Sequence, residues 1–334
     1  MIASKSLYPA SDVSLRTLPI SRQQFLVGAA AMAAAAFAGA PAAATSAQGT
    51  DIHPVEIAPG VFVATGAHGV YAPANGGDIS NKGFIIGDTA VAVVDTGGTA
   101  RVGLELLRAI RALTDRPVGY VINTHMHPDH VLGNAAFRGE GVQFVGHHKL
   151  AAALSARAER YLSYNRDALG AEAFESTEIV LPTQPIETVT TIDLGGRQLR
   201  LEPHRTAHTD NDLTIRDSKT DVAFLGDLIF AGHVPTLDGS IRGWLTVLGE
   251  MGAKPARKIV PGHGPAAMDW QPAATPVIRY LDAVASDVRQ AIKAGRTMRE
   301  TIATAAQSER GAWELFDEFH GRNVSAAFAE LEWE

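Results

Sequence analysis

The chain of 334 residues contains no cysteine. Disulfides, thiolate nucleophiles and Cys-rich zinc sites are therefore excluded, and any transition metal must be held by histidine nitrogens and carboxylate oxygens. Positive charge is also in short supply: 29 Lys and Arg stand against 36 Asp and Glu, a formal net charge of -7. With no basic cluster to reverse that balance locally, nucleic acid is not an expected partner, because neutralising phosphates requires Lys and Arg. Nor is there a long hydrophobic run. The most apolar stretch, from Phe25 to Phe37, is Ala-rich and too short for a retained membrane span. What is present is globular: 46% of residues are hydrophobic, enough at this length to bury a sizeable core without staples.

The first 47 residues stand apart. Lys5, Arg16 and Arg22 precede the apolar run, and small residues follow it (Gly39, Ala40, Pro41, Ala42, Ala43, Ala44, Thr45, Ser46, Ala47). This is the order of a secretory signal, so residues 1–47 are expected to be a signal peptide and the protein periplasmic or secreted. Cleavage after Ala44 or Ala47 is equally compatible. The segment Ser21-Arg22-Gln23-Gln24-Phe25-Leu26 resembles a twin-arginine signal in which Gln23 replaces the second arginine.

In the mature chain, residues 55–64 (VEIAPGVFVA) alternate and break at Pro59-Gly60, a hairpin pattern. Residues 82–86 and 89–94 read as a second hairpin about Gly87-Asp88. Thr99 is placed to cap a helix whose Val102, Leu106, Leu107, Ile110 and Leu113 share a face. A buried strand is expected over 117–123, running straight into a histidine cluster. A second cycle follows: a strand over 143–145, a helix over 149–169, strands over 188–194, 198–203, 213–217, 223–225 and 258–260. Two rounds of hairpin, helix and strand predict an α+β sandwich, with paired sheets inside and helices outside. Residues 48–272 are read as that domain and 273–334 as a C-terminal helical extension, with helices over 276–294, 297–307 and 311–331.

The chemistry is concentrated in Thr124-His125-Met126-His127-Pro128-Asp129-His130. Side chains two apart in an extended segment point the same way, so His125 and His127 can grip one ion. Asp129 and His130 diverge after the turn imposed by Pro128 and can serve a second. Four ligand-type side chains within six residues, just past a buried strand, have no reason to cluster for packing alone.

His-x-His-x-Asp-His after an apolar strand resembles the signature of the metallo-β-lactamase superfamily. Other landmarks of that family appear in order: Asp95 in VVDTG, His208 in Thr206-Ala207-His208-Thr209-Asp210, Asp227 in Leu225-Gly226-Asp227, and His263 in Pro261-Gly262-His263-Gly264. The resemblance implies an αββα sandwich carrying two zinc ions, with iron or manganese also compatible. His125, His127 and His208 would hold one ion, Asp129, His130 and His263 the other, and Asp227 would bridge them. Two dications sharing one water depress its pKa, making hydroxide available as nucleophile. Asp129 is the catalytic candidate, placed to orient that nucleophile or carry a proton to the leaving group. Asp95 would brace the metal loop.

Finer likenesses narrow the class. The missing cysteine excludes the β-lactamase subclass with a Cys ligand, and His127 in place of Glu argues against flavodiiron oxygen reductases. Gly77-Asp78-Ile79-Ser80-Asn81, residues 125–134, 207–213 and 226–230, Asp238-Gly239-Ser240-Ile241-Arg242-Gly243-Trp244 and Gln307-Ser308-Glu309-Arg310-Gly311-Ala312-Trp313 resemble the quinoprotein relay system zinc metallohydrolases. That likeness implies a periplasmic setting and a link to a quinoprotein dehydrogenase. The expected function is hydrolysis of a small ester, thioester or lactone. Alternatives are a β-lactam hydrolase, a mononuclear iron persulfide dioxygenase, or a non-catalytic accessory of the dehydrogenase. His148, His233, Arg242 and Trp244 are candidate substrate contacts. His204 is expected to play a structural or supporting part.

Overall fold

The computed structural model describes residues 52–334, so the expected signal segment lies outside the described residues. The chain begins with the hairpin of β1 (Val55–Ala58) and β2 (Val61–Ala64), turned at Gly60, whose φ of 70° is one that a residue without a Cβ adopts freely. There follow β3 (Lys82–Ile86), β4 (Val91–Val94), α1 (Ala100–Leu113), β5 (Val118–Ile122) and the one-turn helix α2 (Pro128–Val131). Next come β6 (Gln143–His147), α3 (Leu150–Leu169), β7 (Gln184–Ile186), β8 (Thr190–Asp193), β9 (Gln198–Pro203), β10 (Leu213–Asp217) and β11 (Val222–Phe230). The chain closes with α4 (Ile241–Gly252), β12 (Lys258–His263), α5 (Trp270–Lys293), α6 (Met298–Thr304) and α7 (Phe316–Leu331).

β1 to β7 form one sheet in sequence order, antiparallel as far as β4 and parallel from there. The second sheet runs β12-β11-β10-β9-β8, antiparallel except for the parallel pair β11–β12. Alternation along single strands shows the layering. In β4, Ala92 and Val94 face the core between the sheets, together with Phe224 of β11 and Val260 of β12. Val91 and Val93 face the other way, onto Leu106 and Ile110 of α1. In β11, Ala223 and Leu225 point outward and pack with Trp244 of α4, Val277, Tyr280 and Leu281 of α5, and Val324 of α7. The order is helix, sheet, sheet, helix, as expected from the sequence. Thr99 caps α1 by accepting from the Val102 amide, 3.3 Å away.

Three expectations are corrected. The helix read from residue 276 begins at Trp270, because Trp270, Ala273 and Ala274 bury in the same core as β11 and carry the helix upstream of Pro276. The residue-273 boundary therefore falls inside α5. The strand read as 223–225 extends through Gly226-Asp227 to Phe230, with irregular pairing to β12 around Gly226. β7 and α4 were not anticipated: β7 has three residues including a proline, and α4 is interrupted by glycines. Among the described residues, no helix is long and apolar enough to cross a membrane.

Candidate metal centre

The seven expected ligands come from loops, a one-turn helix and strands of both sheets. His125 and His127 lie in the segment leaving β5, Asp129 and His130 in α2, His208 between β9 and β10, Asp227 within β11, and His263 at the last position of β12. Pro128 opens α2 at a position where a missing N–H costs nothing. That single turn is what swings Asp129 and His130 away from His125 and His127.

The side chains gather into two groups, one of His125, His127, His208 and Asp227, the other of Asp129, His130 and His263. In the first, the inward nitrogens nearly touch: His125 Nε2 is 3.1 Å and His208 Nε2 3.0 Å from His127 Nδ1. The outward nitrogens reveal which inward ones carry hydrogen. His208 Nδ1 donates to the Thr236 carbonyl (2.6 Å) and His127 Nε2 to Asp238 Oδ2 (3.1 Å). Thr124 Oγ1 spends its proton on Asp95 Oδ2 (2.8 Å), so His125 Nδ1 donates to that hydroxyl (3.0 Å). With their outward nitrogens so engaged, His125 and His208 turn the lone pairs of their inward nitrogens towards His127 Nδ1. Burial, then the neighbouring His130, keeps His125 well below the ordinary histidine range, and burial first holds His208 at about 3. Nitrogens converging at this spacing fit a shared cation. Their spacing approaches the edge of about 3.3 Å expected for a tetrahedron of zinc–nitrogen bonds.

The second group is electrically different. His130 Nδ1 donates to Asp95 Oδ2 (2.8 Å) and His263 Nδ1 to the Ile79 carbonyl (2.8 Å). Their Nε2 atoms face carboxylates: both lie 3.3 Å from Asp129 Oδ2. Burial opposes charge on these rings, but Asp227 foremost, with Asp129, raises His263 to about 9, and with Asp129 and Asp95 raises His130 well above the usual range. Asp129 and Asp227 stay ionised: burial pushes them up, and the histidines outweigh it and hold both well below the carboxylate norm.

Asp227 reaches both groups. Its Oδ2 lies 3.7 Å from His125 Nε2, 3.5 Å from His208 Nε2 and 3.5 Å from His263 Nε2, while Oδ1 is 3.2 Å from His130 Nε2. Yet Asp227 Oδ1 and His130 Nε2, both buried, have no hydrogen-bond partner. That close approach without a hydrogen bond fits atoms that share a cation. The backbone leaves this carboxylate just enough room, because a Cβ on Gly262 would sit 1.9 Å from Asp227 Oδ1.

Asp95 braces the loop as expected. Held at φ 56°, it accepts from the Thr124 amide, the Thr124 hydroxyl and His130 Nδ1. The four substrate candidates fare differently. Trp244 is corrected: fully buried, it donates Nε1–H to the Leu228 carbonyl (3.1 Å) and packs edge-on against His208, forming the floor under a ligand. Arg242 lies exposed and pairs with Glu334 (3.0 Å) near the C-terminus. His148 is exposed and stacks on the buried His147, and neither belongs to a ligand group. His233 is buried, with its ring stacked 5.1 Å from His263. Burial first, then His263, lowers its pKa to about 4, so it packs beside a ligand as a neutral ring. His204 bonds Thr214 (2.8 Å) and lines a cavity of ≈ 530 Å³ outside β9 and β10, which none of the ligand candidates lines.

Sequence reading missed the supports. Asp238 lay within a quoted motif with no role attached. Thr236 and Ile79 act through backbone carbonyls, which no side-chain pattern reveals. Lys82, fully buried, pairs with Asp78 and also reaches the Ser80 carbonyl (3.3 Å), which fixes the segment that touches Asp129 and His263. Tyr71, its hydroxyl buried without a partner, is kept a phenol by burial and by Asp129.

Comparison with known proteins follows the same lines. The model of a family described as the metallo-beta-lactamase superfamily matches residues 75–263. Among solved structures, a metallo-beta-lactamase from Pontibacter korlensis is similar with a TM-score of 0.55 and 21% identity, over 69% of this chain and 99% of that one. A structure of TMB-1 is similar with a TM-score of 0.54 and 17% identity, over 69% of this chain and 97% of that one. No curated protein matches significantly.

Proposed function

The chain belongs to the metallo-beta-lactamase superfamily, whose members are generally metal-dependent hydrolases, and from that premise we propose that it is an exported enzyme cleaving a small ester, thioester or lactone at a centre of two metal ions. The observation that carries this reading is the reach of the Asp227 carboxylate, 3.5 Å from His208 in one ligand group and 3.2 Å from His130 in the other. A carboxylate within range of both groups supports two neighbouring ions rather than one. His125, His127 and His208 would hold the first ion, Asp129, His130 and His263 the second, and Asp227 both. Five imidazoles and two carboxylates without sulfur suit zinc and accept iron or manganese.

Ions held there supply an activated water and a Lewis acid for the scissile carbonyl. The remaining work falls to the chain. Asp129, ionised and adjacent to His130 and His263, is the group available to take a proton at its carboxylate and return it to the leaving alcohol or thiol. Thr236, Asp238, Asp95 and Ile79 hold the imidazoles in one tautomer and one orientation, so the site needs no rearrangement when substrate arrives.

The test is turnover of a panel of esters, thioesters, lactones and one cephalosporin by the protein lacking residues 1–47, with metal content measured alongside. Hydrolysis of one acyl class, lost on chelation, restored by zinc and absent in His127→Ala, is the expected result. Turnover that survives both chelation and His127→Ala would overturn the reading. A single iron per chain would point instead to oxygen chemistry. Export is read from the order of residues 1–47 and is checked by fractionating cells that express the full chain, where a cytoplasmic, uncleaved product would contradict it.

A further inference from the structure

We propose that Asn323, on the C-terminal helix α7 and remote in sequence from every ligand, is a positioning residue that sets the orientation of His208 and so the affinity of the first metal site. This rests on the metal-centre reading above and extends it to the C-terminal helices.

The argument starts from one rigid peptide. The Thr236 carbonyl, which accepts from His208 Nδ1 at 2.6 Å, belongs to the same planar unit as the Leu237 amide. In a trans peptide the C=O and N–H point in opposite directions, so whatever binds one aims the other. The Leu237 amide donates to Asn323 Oδ1 at 2.9 Å. Asn323 also holds the preceding peptide, donating Nδ2–H to the Pro235 carbonyl at 2.6 Å. The side chain therefore grips the loop on both sides of Thr236. The same loop carries Asp238, whose carboxylate accepts from His127 and whose amide donates to the His208 carbonyl at 3.0 Å.

The amide of Asn323 is itself held in one sense. His320 Nε2 lies 2.9 Å from the Ala305 carbonyl, which can only accept, so this nitrogen carries the proton and Nδ1 presents a lone pair. The Tyr280 hydroxyl, 3.0 Å away, donates to that lone pair, which leaves its oxygen to accept from Asn323 Nδ2 at 2.8 Å. With both donors of Nδ2 used on Tyr280 and Pro235, Oδ1 must face Leu237. All of these groups are buried, where an unmade hydrogen bond is costly, so the chain holds firmly in one arrangement.

The experiment titrates metal-stripped protein with zinc under chelator competition, and separately with cobalt(II) while the visible spectrum is read. Asn323→Ala is expected to weaken the tightest-bound equivalent several-fold, below the roughly 10- to 100-fold that loss of a direct outer partner of a metal-bound histidine costs, and to alter the first-equivalent cobalt spectrum. Val324→Ala, which opens a void in the same helix and removes none of these hydrogen bonds, is expected to lower the melting temperature and leave both readouts unchanged. If Asn323→Ala folds and binds the first zinc within twofold of the parent, or if Val324→Ala weakens it as much, the proposal is overturned. Tyr280→Phe decides the matter should Asn323→Ala not fold. It removes only the hydroxyl behind the amide, and a several-fold weaker first equivalent is expected, whereas parental affinity would overturn the proposal. A parent protein that takes up no metal would remove the metal-centre reading and this one together, whereas parental binding by these variants removes this one alone.

Discussion

His125, His127 and His208 rest their outer nitrogens on a hydroxyl, a half-exposed carboxylate and a carbonyl, whereas His130 and His263 turn their inner nitrogens directly onto Asp129 and Asp227. Burial keeps His125 and His208 of the first group neutral, whereas Asp227 and Asp129 favour the charged form of His263 and His130 in the second. Their supports differ as well. The first is held through residues 234–240 by α7, the last helix of the chain, and the second by Asp95 and the buried Asp78–Lys82 pair early in it. Identical residue types thus prepare two unlike sites. A cation would meet neutral His125 and His208 in one, and would displace protons from His130 and His263 in the other.

The sharpest way to break that division is to remove the one residue common to both groups. Asp227→Asn is expected to lower hydrolysis at least a thousandfold, about 4 kcal/mol of transition-state stabilisation. It should also cost metal in both groups, measured as turnover and as metal per chain. Retention of two tightly held ions would show that the groups are independent of Asp227.

Proton release comes next in size. At pH 7.5, binding of the second metal equivalent is expected to release protons, because His263 titrates at about 9 and His130 is raised as well. The first equivalent should release few from His125 and His208, which are already neutral. Calorimetry in buffers of different ionisation enthalpy measures both. The same shifts set the stability of the stripped protein. A histidine raised in the fold stabilises it fully below its ordinary value near 6.5, and that contribution is lost as pH rises through about 9. The lowered Asp129 and Asp227 contribute above the ordinary carboxylate range and are lost on acidification. Thermal unfolding of the stripped protein should therefore weaken at both ends. Equal proton release for the two equivalents would erase the contrast.

Two smaller substitutions sharpen the boundary between the centre and its surroundings. Trp244→Phe loses the bond to the Leu228 carbonyl and is expected to cost about 1 kcal/mol of stability without changing KM, since the ring is fully buried against His208. Arg242→Ala breaks an exposed pair with Glu334 and should leave stability and turnover essentially unchanged. A raised KM in either variant would return that residue to the substrate pocket.

Much of this was legible in the sequence because local patterns carried it. Gln198–Pro203 and Leu213–Asp217 read as strands, and each begins and ends in the fold where that reading places it. The ligands of the 125–130 loop were legible because strand geometry and one proline fix which side chains share a side. β11 was cut short because Gly226-Asp227 looks like a strand end. In the fold it is a strand interior, where a Cβ on Gly226 would meet Thr124 at 2.6 Å. Trp244 and Arg242 stood in a motif beside the site, but a helix not foreseen there turned one into the core and the other outward.

The sequence by itself determined the ligand types, the absence of sulfur among them, the four-layer order, and which residues could bind metal, since each follows from residue chemistry or short-range periodicity. Only the tertiary structure decided how protons are divided between the two groups, because that depends on which carboxylate faces which ring across elements distant in the chain. It alone joined Asn323 to His208, because the link runs through a backbone peptide whose orientation no side-chain pattern encodes.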